Sequence, residues 1–378
     1  MKPLLSIVVP TKDRYKYLKH LIALIDSFNS SEIELVLQDN TADNIEILKF
    51  IKQKEYPFIK YAHNVEQLPI SYNSDLAILN SSGEYVCFIG DDDGVTKHII
   101  DCVHWMKWND IDAIVPAVVH YLWADYPYKL FGKHDSVLYY ERFTNKIELV
   151  NIHNALNKSL NEGFVHRGII PSVYQGIVKR DVLDKIYIRG GTYFPGPSPD
   201  MANGVALCFV AKKYARIDFP IIISGASAGR GAGTLSLKDR SAKIEDAPFL
   251  PKNAKATWEE NIPKIFAGET VWPESAIKAL RYMGHADIIK QVNFEYIQAK
   301  FIMGHLDYWR ESFKVTDNHL KLIYKLIEIC LIRIEKAILR RIKNLSAINN
   351  FSTVQCEIKD IQGAQNFLLK QYPSFDIK

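Results

Sequence analysis

A chain of 378 residues exceeds the usual single-domain length, and 48% of it is hydrophobic, so a sizeable core and two or three compact units are expected. A formal net charge of +4 is too mild to imply nucleic acid as a partner. Cys87, Cys102, Cys208, Cys330 and Cys356 are odd in number and widely separated, which offers neither a zinc spacing nor a disulfide framework and suits a reducing compartment. The opening run lacks the basic region and cleavage site of a secretory signal. No stretch of about 18 uninterrupted apolar residues is present, so no membrane span is expected and the cytoplasm is the expected home.

Leu4 to Val9 is an apolar, β-branched strand ended by Pro10, and Thr11, Lys12, Asp13 and Arg14 form the loop after it. Apolar residues at helical spacing follow from Tyr17 to Phe28. Glu34 to Gln38 is a second strand ending at Asp39-Asn40, and Ile45 to Ile51 a second helix. Ile59 to Ala62 reads as a third strand, and Ser71 to Leu79 as a third helix. This alternation predicts a parallel sheet with helices on its faces, whose ligands bind beyond the carboxyl ends of the strands. Arg14, Asp39 and Asp91 to Asp93 all fall at such ends.

The centre of this half is Ser82 to Gly94, where a charge-free strand from Tyr85 to Ile89 runs into Asp91-Asp92-Asp93 between two glycines. Three adjacent carboxylates repel one another unless neutralised. A hard divalent cation does this and leaves coordination positions for phosphate oxygens. The plainer reading is an acidic turn that is solvated or caps the next helix.

Ile111 to Val119 is read as a further strand, followed by an aromatic stretch with Trp123, Tyr126, Tyr128 and Phe131. Such a cluster is either a platform for a sugar or base, or plain core. Val173 to Val178 is a strand candidate and Arg180 to Ile186 a helix. Gly190 to Asp200 is dense in Gly and Pro, hence a loop, and it delivers Asp200 to the start of a helix from Met201 to Val210. Arg216 to Ser224 is one more strand, and Gly225 to Thr234 a small, flexible segment with one Arg.

Past about Asp246 strand signals fade and amphipathic helices are expected over Ala286–Phe301 and His319–Leu345. The second carries Lys321, Lys325, Arg333, Lys336, Arg340, Arg341 and Lys343 against Glu328 and Glu335. A basic amphipathic helix suits an anionic membrane surface. It equally suits packing on the catalytic domain or a second subunit.

Leu5 to Thr11 (LSIVVPT), the strand into Asp39-Asn40, Asn73, and the Gly83-Glu84-Tyr85 run into Asp91-Asp92-Asp93 resemble the nucleotide-binding half of family 2 glycosyltransferases with the GT-A fold. The resemblance is close over residues 1–100 and continues weakly to about residue 230. It implies an α/β GT-A domain over 1–245, with a Rossmann-like, mostly parallel sheet, and a helical region over 246–378. Residues 1–100 would be its nucleotide-binding half and 101–245 its acceptor half. By the same resemblance Pro10, Thr11, Arg14, Asp39 and Asn73 line the nucleotide pocket, with Asp39 accepting from the base. The acidic cluster corresponds to a DXD-type motif holding Mn²⁺ or Mg²⁺, although Gly90 stands where the first Asp of the commoner form is found. Asp92 and Asp93 are the favoured metal ligands, with Asp91 towards ribose or sugar.

The implied reaction is metal-dependent, inverting transfer from a nucleotide-sugar, a UDP-sugar first, to a glycan or lipid-linked saccharide in bacterial surface polysaccharide synthesis. Asp200 stands where the family places its catalytic base, with helix capping as the alternative. His166, Arg167 and Arg230 are candidate cations for the diphosphate or an anionic acceptor, and the loop around Arg230 a candidate lid. A homo-oligomer and contact with the inner leaflet through the basic helix complete the expectation. The rival readings are a nucleotidyltransferase, disfavoured because the first loop lacks glycine, and a non-catalytic nucleotide-binding scaffold.

Overall fold

The computed structural model describes residues 2–127, 136–228, 241–247, 250–342 and 353–377, with the side chains of 340–342 left aside. Its first part alternates as the apolar pattern predicts: β1 (Leu5–Thr11), α1 (Tyr15–Asp26), β2 (Ile33–Asp39), α2 (Ile45–Gln53), β3 (Ile59–His63), α3 (Ile70–Leu79) and β4 (Tyr85–Phe88). β1 lies between β2 and β4, and β3 borders β2, all in parallel. β2 and β4 are buried at every residue, β4 without a charge and β2 with Glu34 and Asp39 buried at its two ends. On one face α1 buries Leu18, Leu21, Ile22 and Ile25 against this sheet. The register sets Thr11 opposite Asp39, so both end at the same edge.

From there the chain forms β5 (Gly94–Val95), α4 (Ile99–Asn109), β6 (Ala113–Leu122), β7 (Val137–Tyr140), β8 (Ile147–Leu149), α5 (Ile152–Asn161), β9 (Ile177–Lys179), α6 (Arg180–Tyr187), α7 (Pro199–Leu207) and β10 (Tyr214–Ala226). The long pairings are parallel, including β6 with β10. Shorter antiparallel pairs join β9 to β4 and β6, and set β5 and β8 on β10. The result is an α/β fold with a large, mostly parallel central sheet, as expected. The strand expected over 173–178 is confined to its end. Gln175 takes φ +54°, and a side chain on Gly176 would put its Cβ 2.0 Å from the Ser172 carbonyl oxygen. The chain therefore turns where the apolar run suggested extension.

β11 (Ala242–Lys243) and β12 (Ile265–Phe266) pair with each other. The helices α8 (Gly268–Tyr282), α9 (Phe294–Gly304), α10 (Trp309–Val315) and α11 (His319–Ile342) follow. The single helix expected over 286–301 is in fact two pieces, a 3₁₀ segment over Ala286–Gln291 and then α9. Asn293 explains the break, because its side chain accepts the Tyr296 N–H and starts a new helix. The end of the chain returns to the sheet: β13 (Thr353–Cys356) pairs antiparallel with β7. α12 (Ile361–Gln371) buries Ile361, Ala364 and Leu368 in the same core as α1. The helical pattern beyond 246 gave no sign of that return. Among the described residues, no helix is long and apolar enough to cross a membrane.

Candidate active site

Three strand ends meet at the acidic turn. The Thr11 hydroxyl, closing β1, donates to Asp91 Oδ2 at 2.7 Å. Arg14, in the loop after β1, places Nη2 2.7 Å from Asp92 Oδ2 and Nε 3.1 Å from Asp91 Oδ1. The Nε contact is one of charge, since the N–H is not aligned for a hydrogen bond. From the end of β10, Ser227 donates to Asp92 Oδ2 at 2.6 Å and the Gly225 N–H to Asp93 Oδ1 at 2.8 Å. Gly225 is needed there: a Cβ would stand 1.7 Å from the Asp92 carbonyl oxygen. Asp93 Oδ2 accepts from the Gly90 N–H at 2.9 Å and from Gln175 Nε2 at 3.2 Å. The turn at Gly176 is what brings Gln175 to Asp93.

All three carboxylates are buried, and among the described residues Arg14 is the cation in direct contact with them. Burial pushes Asp91 up to about 7, with Arg14 opposing and Asp92 adding to the rise. Burial and the neighbouring Asp92 likewise push Asp93 upward. Arg14 is held protonated, because Asp91 and Asp92 outweigh the burial that works against its charge. The cluster therefore carries an excess of negative charge that one guanidinium leaves unbalanced, which suits a divalent cation. Among the described residues no three His, Cys, Asp or Glu side chains form a cage for such an ion. One or two of these carboxylates together with phosphate oxygens would complete a hard, oxygen-rich shell of the kind Mg²⁺ prefers.

Asp39 lies next to this cluster through Thr11, its partner in the β1–β2 register. Its carboxylate accepts from Tyr15 Oη at 2.6 Å, Tyr61 Oη at 2.7 Å and the Thr41 N–H at 2.9 Å. Pro10 precedes Thr11 on β1, opposite Gln38. Asn40 clamps the loop after β3, donating to the carbonyls of Asn64 and Glu66 and accepting from the Leu68 N–H. That loop leads into α3, where Asn73 is buried and its Oδ1 has no partner. An unsatisfied buried carbonyl is costly, and Asn145, Gln298 and Gln365 share this condition with Asn73 elsewhere in the chain.

Asp200 lies in the first turn of α7, after Pro199, while Ser198 is the N-cap residue. Asp200 thus does not cap the helix. Its Oδ1 instead accepts from the Ser198 hydroxyl. α7 is tied towards the acidic turn through Asn203, whose Oδ1 accepts from the Val173 N–H at 3.3 Å and whose Nδ2 donates to the Tyr193 carbonyl at 3.1 Å. The loop before Asp200 is held by Asp75 of α3, which accepts from the Thr192 hydroxyl and the Tyr193 N–H, each at 2.7 Å. Burial pushes Asp75 up to about 6, against those hydrogen bonds.

Arg167 Nη1 donates to the Tyr174 carbonyl at 3.1 Å, one residue from Gln175. His166 is exposed and held below its usual pKa, first by desolvation and then by Lys300 of α9, which sets it towards the C-terminal helices. Arg230, with most of the loop expected as a lid, lies outside the described residues, as do Tyr128 and Phe131. Trp123 belongs to the core: it packs edge-on against Tyr17 and Tyr121 and donates its indole N–H to the Asp92 carbonyl at 2.9 Å. The sequence reading missed Asp75, Gln175 and Ser227. For Gln175 and Ser227 the signal is long-range only, whereas Asp75, two residues after Asn73 and within a buried helix face, was open to notice.

Residues 6–161 match the model of the family described as glycosyl transferase family 2. A comparison with curated proteins found no match. Among solved structures, S. aureus TarS 1–349 in complex with UDP-GlcNAc is similar at 15% identity and TM-score 0.49, covering 83% of this chain and 89% of that one. The same TarS segment with UDP gives 15% identity and TM-score 0.46, covering 82% and 73%. A mannosyltransferase from Pyrobaculum calidifontis, PcManGT, in complex with GDP-Man and Mn²⁺, gives 13% and 0.39, covering 88% and 87%.

Proposed function

On the premise that this chain is a glycosyltransferase, carrying its family 2 region at residues 6–161, we propose that it transfers a sugar from a nucleotide-sugar to a saccharide acceptor with inversion at the transferred carbon. The acceptor is a glycan or lipid-linked saccharide of bacterial surface polysaccharide synthesis, and a UDP-sugar is the first donor to try. Pro10, Thr11, Asp39 and Asn73 bind the nucleotide, and Asp91 faces ribose or sugar. Asp92 is the first choice of metal ligand. Asp93 is the second, because three N–H donors already engage its carboxylate. Mn²⁺ or Mg²⁺ held there supplies positive charge where the leaving diphosphate gains negative charge.

The protein's own groups carry the remainder. Arg14 holds Asp91 and Asp92 in place and prevents the turn from splaying under its own repulsion. Asp200, oriented by Ser198, takes the proton of the acceptor hydroxyl. The acceptor oxygen bonds to the anomeric carbon as the bond from that carbon to the diphosphate oxygen breaks. Inversion requires Asp200 and the diphosphate to lie on opposite faces of the sugar.

The observation that carries this reading is the excess buried negative charge at Asp91 to Asp93, at the edge of the sheet where Thr11 and Asp39 also end. Asp200→Asn tests it: donor affinity by calorimetry should be kept and turnover should fall about 10²–10⁴-fold. Normal turnover would remove Asp200 from the mechanism. Release of pyrophosphate from a nucleoside triphosphate would instead favour the nucleotidyltransferase.

A further inference from the structure

Two opposite faces of α11 are apolar, and the chain covers one of them. Leu322 and Ile329 are buried, in a cluster with Ala299 and Ile302 of α9. On the other side Leu320, Tyr324, Ile327, Leu331, Ile334 and Ile338 are exposed, Leu320 by 81% and Leu331 by 60%. Their alternating spacing of four and three residues is that of a coiled-coil seam. Beyond Cys330 every described side chain from Leu331 to Leu339 is exposed, so the second half of α11 leaves the body of the protein. A lone helix of that length is marginal in water, and an apolar row on it marks a contact surface.

Charge decides between lipid and protein. At 100° per residue, Glu328 and Glu335 border the exposed seam, with Lys321 at its start, whereas Lys325, Arg333 and Lys336 fall on the opposite half of the helix. Arg333 reaches the Met303 carbonyl of α9, and Lys325 pairs with Glu328 at 2.6 Å. A helix lying on an anionic membrane needs its basic residues along the borders of the apolar stripe. Here Glu328 and Glu335 share that border with Lys321 and, by its place in the sequence, Arg341, so the rim is mixed in sign, as pairing between two copies of one helix requires.

The seam is also complementary to itself. With two copies antiparallel about a two-fold axis at Ile329, Leu320 of one meets Ile338 of the other, Tyr324 meets Ile334, and Ile327 meets Leu331. Each layer occurs twice, which is the condition for a closed isologous contact. The same register sets Lys321 of one copy against Glu335 of the other, and brings Glu328 near Glu328 of the other at the axis, where Lys325 of its own chain offsets each charge. Lys321 also pairs with Glu295 of its own chain at 2.8 Å but stays half exposed, so it can be shared. We propose that α11 is a dimerisation element, pairing antiparallel with α11 of a second copy along about 27 Å of helix.

Light scattering on the full chain after size exclusion should give twice the 43.3 kDa chain mass. Ile327→Glu with Leu331→Glu should halve that mass while the cooperative unfolding transition of the rest of the chain persists and far-UV circular dichroism falls by no more than the outer half of α11, because both side chains are exposed in the single chain. Glu328→Cys, close to the axis, should cross-link to itself on oxidation, which a parallel pair would not allow. A wild-type monomer at tens of micromolar would overturn the proposal, as would a dimer indifferent to the double substitution. Flotation of monomeric protein with phosphatidylglycerol vesicles, abolished by the same double substitution, would assign the seam to lipid instead.

Discussion

The two ends of the same strands treat a buried carboxylate in opposite ways. At the amino end, Glu34 of β2 accepts from the Ser6 hydroxyl at 2.6 Å, the Ser82 hydroxyl at 2.9 Å and the Gly83 N–H at 3.0 Å, and Lys60 pairs with it at 2.6 Å. Burial would raise its pKa, but Lys60, Ser6 and Ser82 outweigh burial and hold it below the usual value. At the carboxyl end, burial pushes Asp91 upward despite Arg14, and Asp93 follows. One end answers its charge from within the chain and locks β1, β2 and the approach to β4. The other keeps charge in excess, as a site for a cationic ligand must. On the proposed reading, stability and function are thereby separated along a single set of strands.

The largest expected effect breaks the functional end. Asp92→Asn should lower transfer about 10²–10³-fold and weaken metal-dependent donor binding. Its thermal midpoint should be unchanged or higher, since one of three mutually repelling acids is gone. A fall in stability with transfer intact would make Asp92 a structural residue and erase the contrast. Glu34→Ala should do the reverse. It strands the Ser82 N–H and leaves the Ser6 hydroxyl proton and Lys60 without their carboxylate, while the Gly83 N–H keeps the Ser6 oxygen at 2.7 Å, and about 3–4 kcal/mol of stability should be lost in urea unfolding. The protein that remains folded should turn over normally.

A pH series sharpens the comparison further. Asp75 rises in the folded state from 3.8 to about 6 through burial, so the native protein holds that proton more tightly than the unfolded chain. Its contribution is full below pH 4 and is lost as pH rises through 6, by about 2–3 kcal/mol. Glu34 has the opposite sign: its contribution is full above the ordinary Glu value and disappears on acidification. Asp75→Asn should therefore flatten the stability profile between pH 4 and 6 and raise stability at pH 7. Glu34→Gln should flatten the acid side only. Thermal midpoints across that range separate the two, and an unaltered slope in Asp75→Asn would show that Asp75 ionises freely.

How far the sequence disclosed this arrangement depends on the range of each interaction. β1, β2 and β4 were readable because strands buried on both faces are rich in Val, Ile and Leu, with polar residues kept near the ends of β1 and β2, and the acidic turn was readable because its residues are consecutive. Of the answering groups, Arg14 was placed at the same edge by the strand order, but Gln175 and Ser227 reach Asp93 and Asp92 from loops far along the chain, and no local spacing encodes that. The same limit hid the pairing of β13 with β7. The break before α9 was of another kind, since Asn293 is a favoured capping residue inside a helical pattern and the apolar periodicity outweighed it.

The smallest expected effect is the sharpest test of which end Asn73 serves. Its Oδ1 is buried without a donor, a condition that costs on the order of 1–3 kcal/mol and that the amino end of the sheet does not tolerate around Glu34. Asn73→Ala deletes the stranded carbonyl and places a better helix former within α3. The free protein should therefore lose no stability and should gain a few tenths of a kcal/mol. Donor binding, in which the nucleotide supplies the missing N–H or O–H, should weaken about ten-fold, or roughly 1.4 kcal/mol, with kcat held. A KM rise for the donor together with an unlowered thermal midpoint would set Asn73 on the ligand side of the division. A lowered midpoint with an unchanged KM would move it to the structural side, and the unpaired carbonyl would then report packing rather than recognition.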